Sequence, residues 1–496
     1  MYGNLWEYEH ISNAYDRILD TKVGYGNYQR ILLFFLGLTY ATNQSSILAI
    51  FISIPSIQKE WNLNILELAI IASSIFLGIS FGQIIGDILS KYFGRRITLL
   101  ISSTLHAAFG LLISFDSSWT WLSFMTFISG VSFGLTFVIP TFLGEVMPTG
   151  RRSRANIIIR SYLVYGALHA IILSKWLFDD LAYSETWRTL ICLTTVPSLP
   201  VIFVLLKYIQ ESPKFLILKG EFIQGLNSLA AMGKYNHGDK FAGVGSADNF
   251  DLYMWQRKMY GEPDRTKWSD IFQKENRKRS YLLLAIWTGL NFIYYGLAFI
   301  LPLILSKQEA FGQDHGLNIL LFLVFGDIPA IFLIYLLLDK KKLSKKSTMM
   351  LCSFCMMLNF TFIVLHQEEY LFWALSLTRT ATVVSYLLLQ PIIVESFRRS
   401  LRRVAFQTIT LFSRLSGALI PFFYVGLFHF GDFIPFIGSL AISFIIFCSV
   451  YTVSKERVQD EESKGLELDE LIGDKEFLDI PYNKLCERRH SSAITG

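Results

Sequence analysis

Charge is scarce in this chain. Only 17% of its 496 residues are Asp, Glu, Lys or Arg, and 52% are hydrophobic, where a soluble chain carries about a quarter charged residues. That shortage excludes an ordinary soluble protein. Cysteine is sparse too. The five cysteines, Cys192, Cys352, Cys355, Cys448 and Cys486, form no even framework. Cys352 and Cys355 lie in an apolar block without further ligands nearby, so they read as packing residues and no metal is expected. The phosphate-cradling pattern G-x-x-x-x-G-K-[ST] is missing. No nucleophile–base pair or metal cluster stands out, so an enzyme is not expected. The net charge of +5 comes from short basic clusters between apolar blocks, which argues against nucleic acid as a partner. No cleavable leader is expected, because the first thirty residues are polar and the first apolar run is followed by another.

What the chain has is long apolar blocks. A helix needs about 20 mostly apolar residues to cross a bilayer, and twelve stretches qualify. The first six are 30–54, 66–88, 97–115, 119–142, 157–177 and 189–209; the second six are 281–304, 317–338, 348–366, 369–394, 404–428 and 432–453. The expected fold is an all-α membrane protein with twelve transmembrane helices in two pseudo-symmetric six-helix bundles. The expected organisation is a cytoplasmic segment 1–29, a bundle 30–209, a cytoplasmic linker 210–279, a second bundle 280–454 and a cytoplasmic tail 455–496. The tail is acidic and polar, and is expected to be only partly ordered.

Lysine and arginine set the expected orientation. They crowd alternate loops: Lys91, Arg95 and Arg96; Arg151, Arg152 and Arg154; Lys340, Lys341, Lys342, Lys345 and Lys346; Arg398, Arg399, Arg402 and Arg403. The loops between them carry little, as with Lys175 and Arg188 diluted by Asp179, Asp180 and Glu185. Both termini are therefore expected in the cytoplasm. The loops also repeat. GRRITLL at Gly94 aligns with SKKSTMM at Ser344, and EVMPTGRR at Glu145 with ESFRRSLR at Glu395, both at a shift of 250 residues. One constant offset implies two halves of common design, as in carriers that rock one half against the other around a midplane site.

Several motifs carry a family resemblance. GDILSKYFGRR, with Gly94, Arg95 and Arg96, resembles the loop after the second helix of the major facilitator superfamily, although Lys91 stands at the usual Asp position and Asp87 at the usual first Gly. Glu145, Pro148, Arg152 and Arg154 fit the E-x-x-P-x-x-x-R-G-R signature that ends the fourth helix, with Ser153 replacing Gly. Gly130 and Gly134 lie on one face of that helix and suit close packing. Glu211, Ser212, Pro213, Lys214, Leu216, Lys219 and Gly220 resemble the element that follows the sixth helix in sugar and organic-ion porters. Asn291 and Tyr294-Tyr295-Gly296 resemble the organic-ion and synaptic-vesicle-protein-related branch. Ala285 and Ile286 stand where sugar porters carry paired glutamines, which disfavours a hexose. The short first outer loop, about 57–65, is unlike the long one of animal organic-ion transporters. The resemblance covers nearly the whole chain and implies alternating access. It also implies that Lys91, Gly94, Arg95, Arg96, Glu145, Pro148, Arg152, Glu211, Ser212, Pro213, Glu395 and Arg402 are conformational residues. In that pattern the loop arginines reach acidic partners and helix ends on the neighbouring bundle.

Substrate and coupling candidates come from polar residues inside spans. A charge at the bilayer centre costs on the order of 2.5–3.5 kcal/mol by insertion scales, so Asp327 and Arg379 must pair or face a cavity. Arg414 lies where anion-carrying relatives tend to have Arg, which leans the substrate toward an anion. Asn43, Gln44, Asn291 and Tyr295 either line the cavity or join helices. His106 and His169 either carry a coupled proton or simply hydrogen-bond. Arg160 is read as snorkelling or pairing at the cytoplasmic start of span 5. ELDELI, Glu467 to Ile472, fits an acidic dileucine sorting pattern; Tyr8 and Tyr482 head weaker ones.

The expected function is secondary or facilitative transport of a small organic solute, an organic ion by preference. A sugar or polyol, and a non-transporting sensor or scaffold, stay open as alternatives. The expected partners are that solute and the lipid bilayer, with the chain monomeric. No cofactor is expected; a proton is a candidate coupling ion. The plasma membrane and an endosomal or vesicle membrane are both open as the location.

Overall fold

The computed structural model describes residues 14–113, 115, 118–178, 181, 184–241, 243, 245–261, 268–274, 276–307, 315–339, 345–366, 371–397 and 401–473. Tyr8, Asp179, Asp180, Lys340, Lys341, Lys342, Arg398, Arg399, Tyr482 and Cys486, and the side chains of ELDELI, lie outside the described residues.

Among the described residues, twelve helices are long and apolar enough to cross a membrane. In the N-terminal half they are α1 Asn27–Trp61, α2 Ile65–Tyr92, α3 Arg95–Ile113, α4 Trp119–Val146, α5 Thr149–Leu177 and α6 Trp187–Lys207. In the C-terminal half they are α7 Arg277–Ser306, α8 Gly316–Ile334, α9 Lys345–Leu365, α10 Leu371–Ser396, α11 Arg402–Phe428 and α12 Ile434–Lys455. No strand occurs among the described residues.

The packing repeats from half to half. In the first half α1 packs on α5 and α6, α2 on α4, and α3 on α4 and α6. In the second, α7 packs on α11 and α12, α8 on α10, and α9 on α10 and α12. Every one of these pairs recurs six helices later, so the two bundles share one plan. The α2–α4 contact is among the tightest of them. A Cβ at Gly82 would lie 2.1 Å from the Val131 carbonyl oxygen, and one at Gly134 would lie 2.3 Å from that of Ile79. Only glycine lets these backbones touch.

Four spans are broken. α4 passes through a tight turn at Thr136–Val138, α6 breaks between Thr195 and Ser198, α8 at Gly326, and α11 between Gly417 and Ile420. Pro197 and Pro421 lie beside two of the breaks, where a missing N–H cannot continue the ladder. Breaks matter because each creates helix ends inside the membrane, with partial charges that can hold polar groups.

Some spans differ from expectation at their ends. α1 runs straight through Pro55 to Trp61, leaving only three residues before α2 where a loop over 57–65 was expected. α5 begins at Thr149, well before residue 157. Its polar first turns, RRSRAN, are helical because they pack on neighbouring segments at the basic end. The helix that starts at Ile434 continues to Gly473, beyond the expected start of the tail. Between α6 and α7 lie the helices Pro213–Lys219, Phe222–His237 and Ser246–Gly261. They pack at the basic end with the short helix Ala14–Ile18.

Candidate functional site

Four charged side chains lie deep in the spans: Arg160 on α5, Asp327 on α8, Arg379 on α10 and Arg414 on α11. They fall into two environments. Asp327 is fully buried, and Arg379 Nε donates to its Oδ2 at 2.8 Å. The break at Gly326 makes Asp327 the first residue of a half-helix, where a carboxylate meets the positive end of the helix dipole. The pair is thus neutral and doubly supported. Arg379 Nη2 also reaches the Tyr294 hydroxyl at 3.5 Å, with the guanidinium 5.1 Å from that ring.

Arg414 has no carboxylate partner among the described residues. Its Nη2 donates to the Tyr386 hydroxyl at 2.5 Å and its Nη1 to the Tyr295 hydroxyl at 3.5 Å, while its Nε has no hydrogen-bond partner. It is 4% exposed. The break after Gly417 places it in the last turn of a half-helix, the negative end of the helix dipole. The rings of Phe137 and Tyr295 approach it at 5.5 and 5.7 Å.

Gln44 joins the two environments and the two halves. From α1, its Nε2 donates to the Tyr294 hydroxyl and its Oε1 accepts from the Tyr295 hydroxyl, both at 3.4 Å. A continuous polar chain therefore runs from Asp327 through Arg379, Tyr294, Gln44 and Tyr295 to Arg414. Phe51 against Phe299 and Phe76 against Tyr295 pack the same seam between α1, α2 and α7.

The structure separates other candidates from this chain. Asn291 donates to Ser413 and so joins α7 to α11. Asn43 is buried with its Nδ2 unpaired. His106 sits inside the N-terminal bundle between Ser46 at 3.3 Å and Ser132 at 3.4 Å. His169 Nδ1 lies 2.9 Å from Ser45 Oγ, and its ring borders a groove among α1, α5 and α6, away from the arginines.

Arg160 is the residue that sequence reasoning misplaced. It does not snorkel: it is 5% exposed and points from α5 toward α7 and α11, 5.8 Å from the rings of both Trp287 and Phe406. The early start of α5 sets it three turns into the span, too deep to reach the surface. With Tyr294, Tyr295 and Tyr386 it lines a central cavity of about 20 Å³, room for a water and too little for an organic solute. The described conformation is closed around its centre. Tyr386 was also missed; a tyrosine in a span gives no signal of where it faces.

At the basic end, the motif residues form one cluster. Arg95 holds Glu145 through two bonds of 2.8 and 2.6 Å. The backbone N–H groups of Arg95 and Arg96 both donate to Glu211, and the Arg96 side chain donates to the carbonyls of Leu205 and Leu206. Gly94 has φ +98°, and a Cβ there would lie 2.4 Å from Glu211 Oε2. Ser212 caps the helix that Pro213 opens, accepting from the Phe215 N–H at 3.2 Å. Pro148 turns the chain between α4 and α5. Arg152 donates to the Met147 carbonyl and pairs with Asp16 at 2.6 Å. Tyr15 donates to the Glu145 carbonyl at 2.7 Å. Burial first, then the Glu145 and Asp16 charges, raise the Tyr15 hydroxyl well above its ordinary pKa, so it stays a donor.

These contacts correct one expectation. The acidic partners of the loop belong to its own half, not to the neighbouring bundle, because the loop folds back over α4 and α6. Lys91 is exposed and joins none of them. The link across the halves at this level comes instead from α2 and α11: Gln407 Nε2 donates to Asp87 at 2.8 Å, and Gln83 Nε2 donates to the Gln407 carbonyl at 3.0 Å. Among the described residues the C-terminal copy of the cluster is thinner. Lys345 pairs with Glu395, and Arg402 Nε donates to the Phe397 carbonyl at 3.1 Å.

Comparison with known proteins places this geometry. The family model described as Major Facilitator Superfamily matches residues 33–421. The chain is 22% identical over 361 residues to the Synaptic vesicle 2-related protein of Pongo abelii, covering 68% of this chain and 62% of that one. It is 21% identical over 442 residues to Organic cation/carnitine transporter 7 of Arabidopsis thaliana, covering 82% and 87%. The chain thus spans about 62% of the first of these relatives. Among solved structures, a partially occluded inward-open conformation of the xylose transporter of E. coli matches with TM-score 0.66 at 14% identity, over 86% of this chain and 99% of that one.

Proposed function

Because this chain belongs to the major facilitator superfamily, we propose that it carries a small organic anion across a membrane by alternating access. The observation that carries this reading is Arg414, buried at the seam between the halves with no carboxylate partner among the described residues and one nitrogen unbonded. A buried cation without a counter-charge is unfavourable by several kcal/mol, and an entering anion would remove that penalty. Arg379 cannot serve in the same way, because Asp327 already neutralises it.

The closed centre is one state of the cycle. Parting of the Gln407 contacts with Asp87 and Gln83 opens the basic end, which the crowding of lysine and arginine sets in the cytoplasm. The Arg95–Glu145–Glu211 cluster keeps the N-terminal half rigid while it rocks. Asp327 is the coupling candidate, since protonation would release Arg379 toward Tyr294 and the polar chain. The name of the Pongo abelii relative, a synaptic vesicle 2-related protein, supports a vesicle membrane as the location.

The test is uptake into proteoliposomes of labelled organic anions, organic cations and neutral polyols, with and without an inward proton gradient. The expected result is saturable anion uptake that is lost in Arg414→Ala. Cation uptake that survives Arg414→Ala would overturn the anion reading. Absence of any uptake by folded protein would favour a sensor or scaffold.

A further inference from the structure

The central cavity is lined by a cation that the proposed function leaves unused, and Arg414 lies behind two of its lining tyrosines. Arg160 comes from α5 of the N-terminal half and Arg414 from α11 of the C-terminal half. Arg160 lines the cavity with Tyr295 and Tyr386, the two tyrosines whose hydroxyls hold Arg414. The two guanidinium groups therefore converge on one pair of phenols from opposite sides of the seam. Arg160 makes no ion pair or hydrogen bond among the described residues; the rings of Trp287 and Phe406 face it, and Tyr40 and Tyr386 lie near it. The remaining deep charges, Asp327 and Arg379, cancel. The centre thus holds two uncompensated positive charges, one on each half.

A ligand with one negative charge would leave one of these cations bare in a closed, water-poor site. We propose that the transported anion is a small organic dianion, with one charge taken by Arg160 and the other by Arg414, and with the hydroxyls of Tyr295 and Tyr386 between them. This rests on the reading of the cavity as an anion site, and names the charge of its ligand. It also gives the ligand a mechanical role. Two guanidinium groups repel each other across the seam, so a bound dianion shifts the balance toward joined halves.

The test compares diacids with their half-amides, which keep length and shape and lose one charge. Succinate and glutarate, with their mono-amides, and glycerol phosphate with its methyl ester are titrated against the purified full chain, and binding is read from the shift in thermal unfolding. The expected result is at least a tenfold lower half-saturating concentration for a dianion than for its monoanionic partner. Arg160→Gln should erase that ratio while leaving monoanion binding in place, and Arg160→Lys should retain part of it. Arg414→Gln should remove both. Monoanions that bind as well as their dianions in the wild type would overturn the dianion assignment and leave the anion reading standing. Equal weakening of both by Arg160→Gln would do the same. Failure of every anion, with a cation or polyol binding instead, would overturn the anion reading itself. If Arg160→Gln does not fold, the wild-type ratio and Arg160→Lys still decide.

Discussion

Arg379 and Arg414 are both buried arginines of the C-terminal half, and they are held in opposite ways. Arg379 has a carboxylate at 2.8 Å, itself at the start of a half-helix. Arg414 has two phenols, the end of a half-helix and an unbonded nitrogen. In the first arrangement the charge is met by an opposite charge, although Asp327 Oδ1 has no hydrogen-bond partner; in the second no counter-charge is present among the described residues. A buried ion pair is close to neutral for stability, while a lone buried charge is a standing penalty. The difference separates a charge kept for structure or coupling from a charge kept for binding. Arg160 falls on the same side as Arg414, although it belongs to the other half.

Breaking the ion pair has the largest expected effect. Asp327→Ala leaves Arg379 buried and unpaired, which should destabilise the fold by about 3–5 kcal/mol. Adding Arg379→Leu should recover most of that loss. Thermal unfolding of both variants checks it; a single variant as stable as the wild type would show that the pair is not what holds Arg379.

A second contrast sharpens the same lesson on the repeated loops. Glu145 is held by two of the three guanidinium nitrogens of Arg95 in a cluster that includes Glu211 and Tyr15, whereas Glu395 is 40% exposed and met by Lys345. Glu145→Ala should lower stability by about 2 kcal/mol, since hydrogen bonds to buried charged groups are lost. Glu395→Ala should lower it by less than about 1 kcal/mol, as expected for a surface pair. Equal effects in paired unfolding measurements would erase the asymmetry drawn between the halves.

The smallest expected effect lies at the link between the halves. Gln407→Ala removes the contact with Asp87 and keeps the backbone carbonyl that Gln83 meets, a loss of about 1 kcal/mol. That shifts the balance of closed and open states about fivefold toward opening at the basic end. The labelling rate of a cysteine introduced at Val383, on the cavity wall, should rise accordingly. An unchanged rate would remove this link from the gate.

Much of the fold was legible because lipid imposes one rule on every span. Apolar blocks of sufficient length gave twelve helices, and a constant offset of 250 residues tied loop to loop. That offset reappears as geometry: Arg152 donates to the Met147 carbonyl, and Arg402 to that of Phe397. The site was less legible, for physical reasons. Charge inside a span marks Asp327 and Arg379 as inward-facing, but sequence does not say that they meet. The polar stretch RRSRAN hid the first turns of α5 and made Arg160 look superficial. Glu211 lies 115 residues from Arg96 in the chain, so its place under the loop depends on a tertiary path that periodicity does not record. Asp87 could be noted as an acid near the loop, but its partner Gln407 is 320 residues away.

The central claim is that Arg414 is retained for a ligand at a cost to the empty protein. The most direct measurement is the thermal unfolding of Arg414→Gln beside the wild type, with and without the anion that the uptake panel identifies. The account predicts an empty variant as stable as the empty wild type or more so, and no stabilisation by the anion. A variant that unfolds several degrees earlier when empty, yet is still stabilised by the anion, would contradict it and make Arg414 a structural residue.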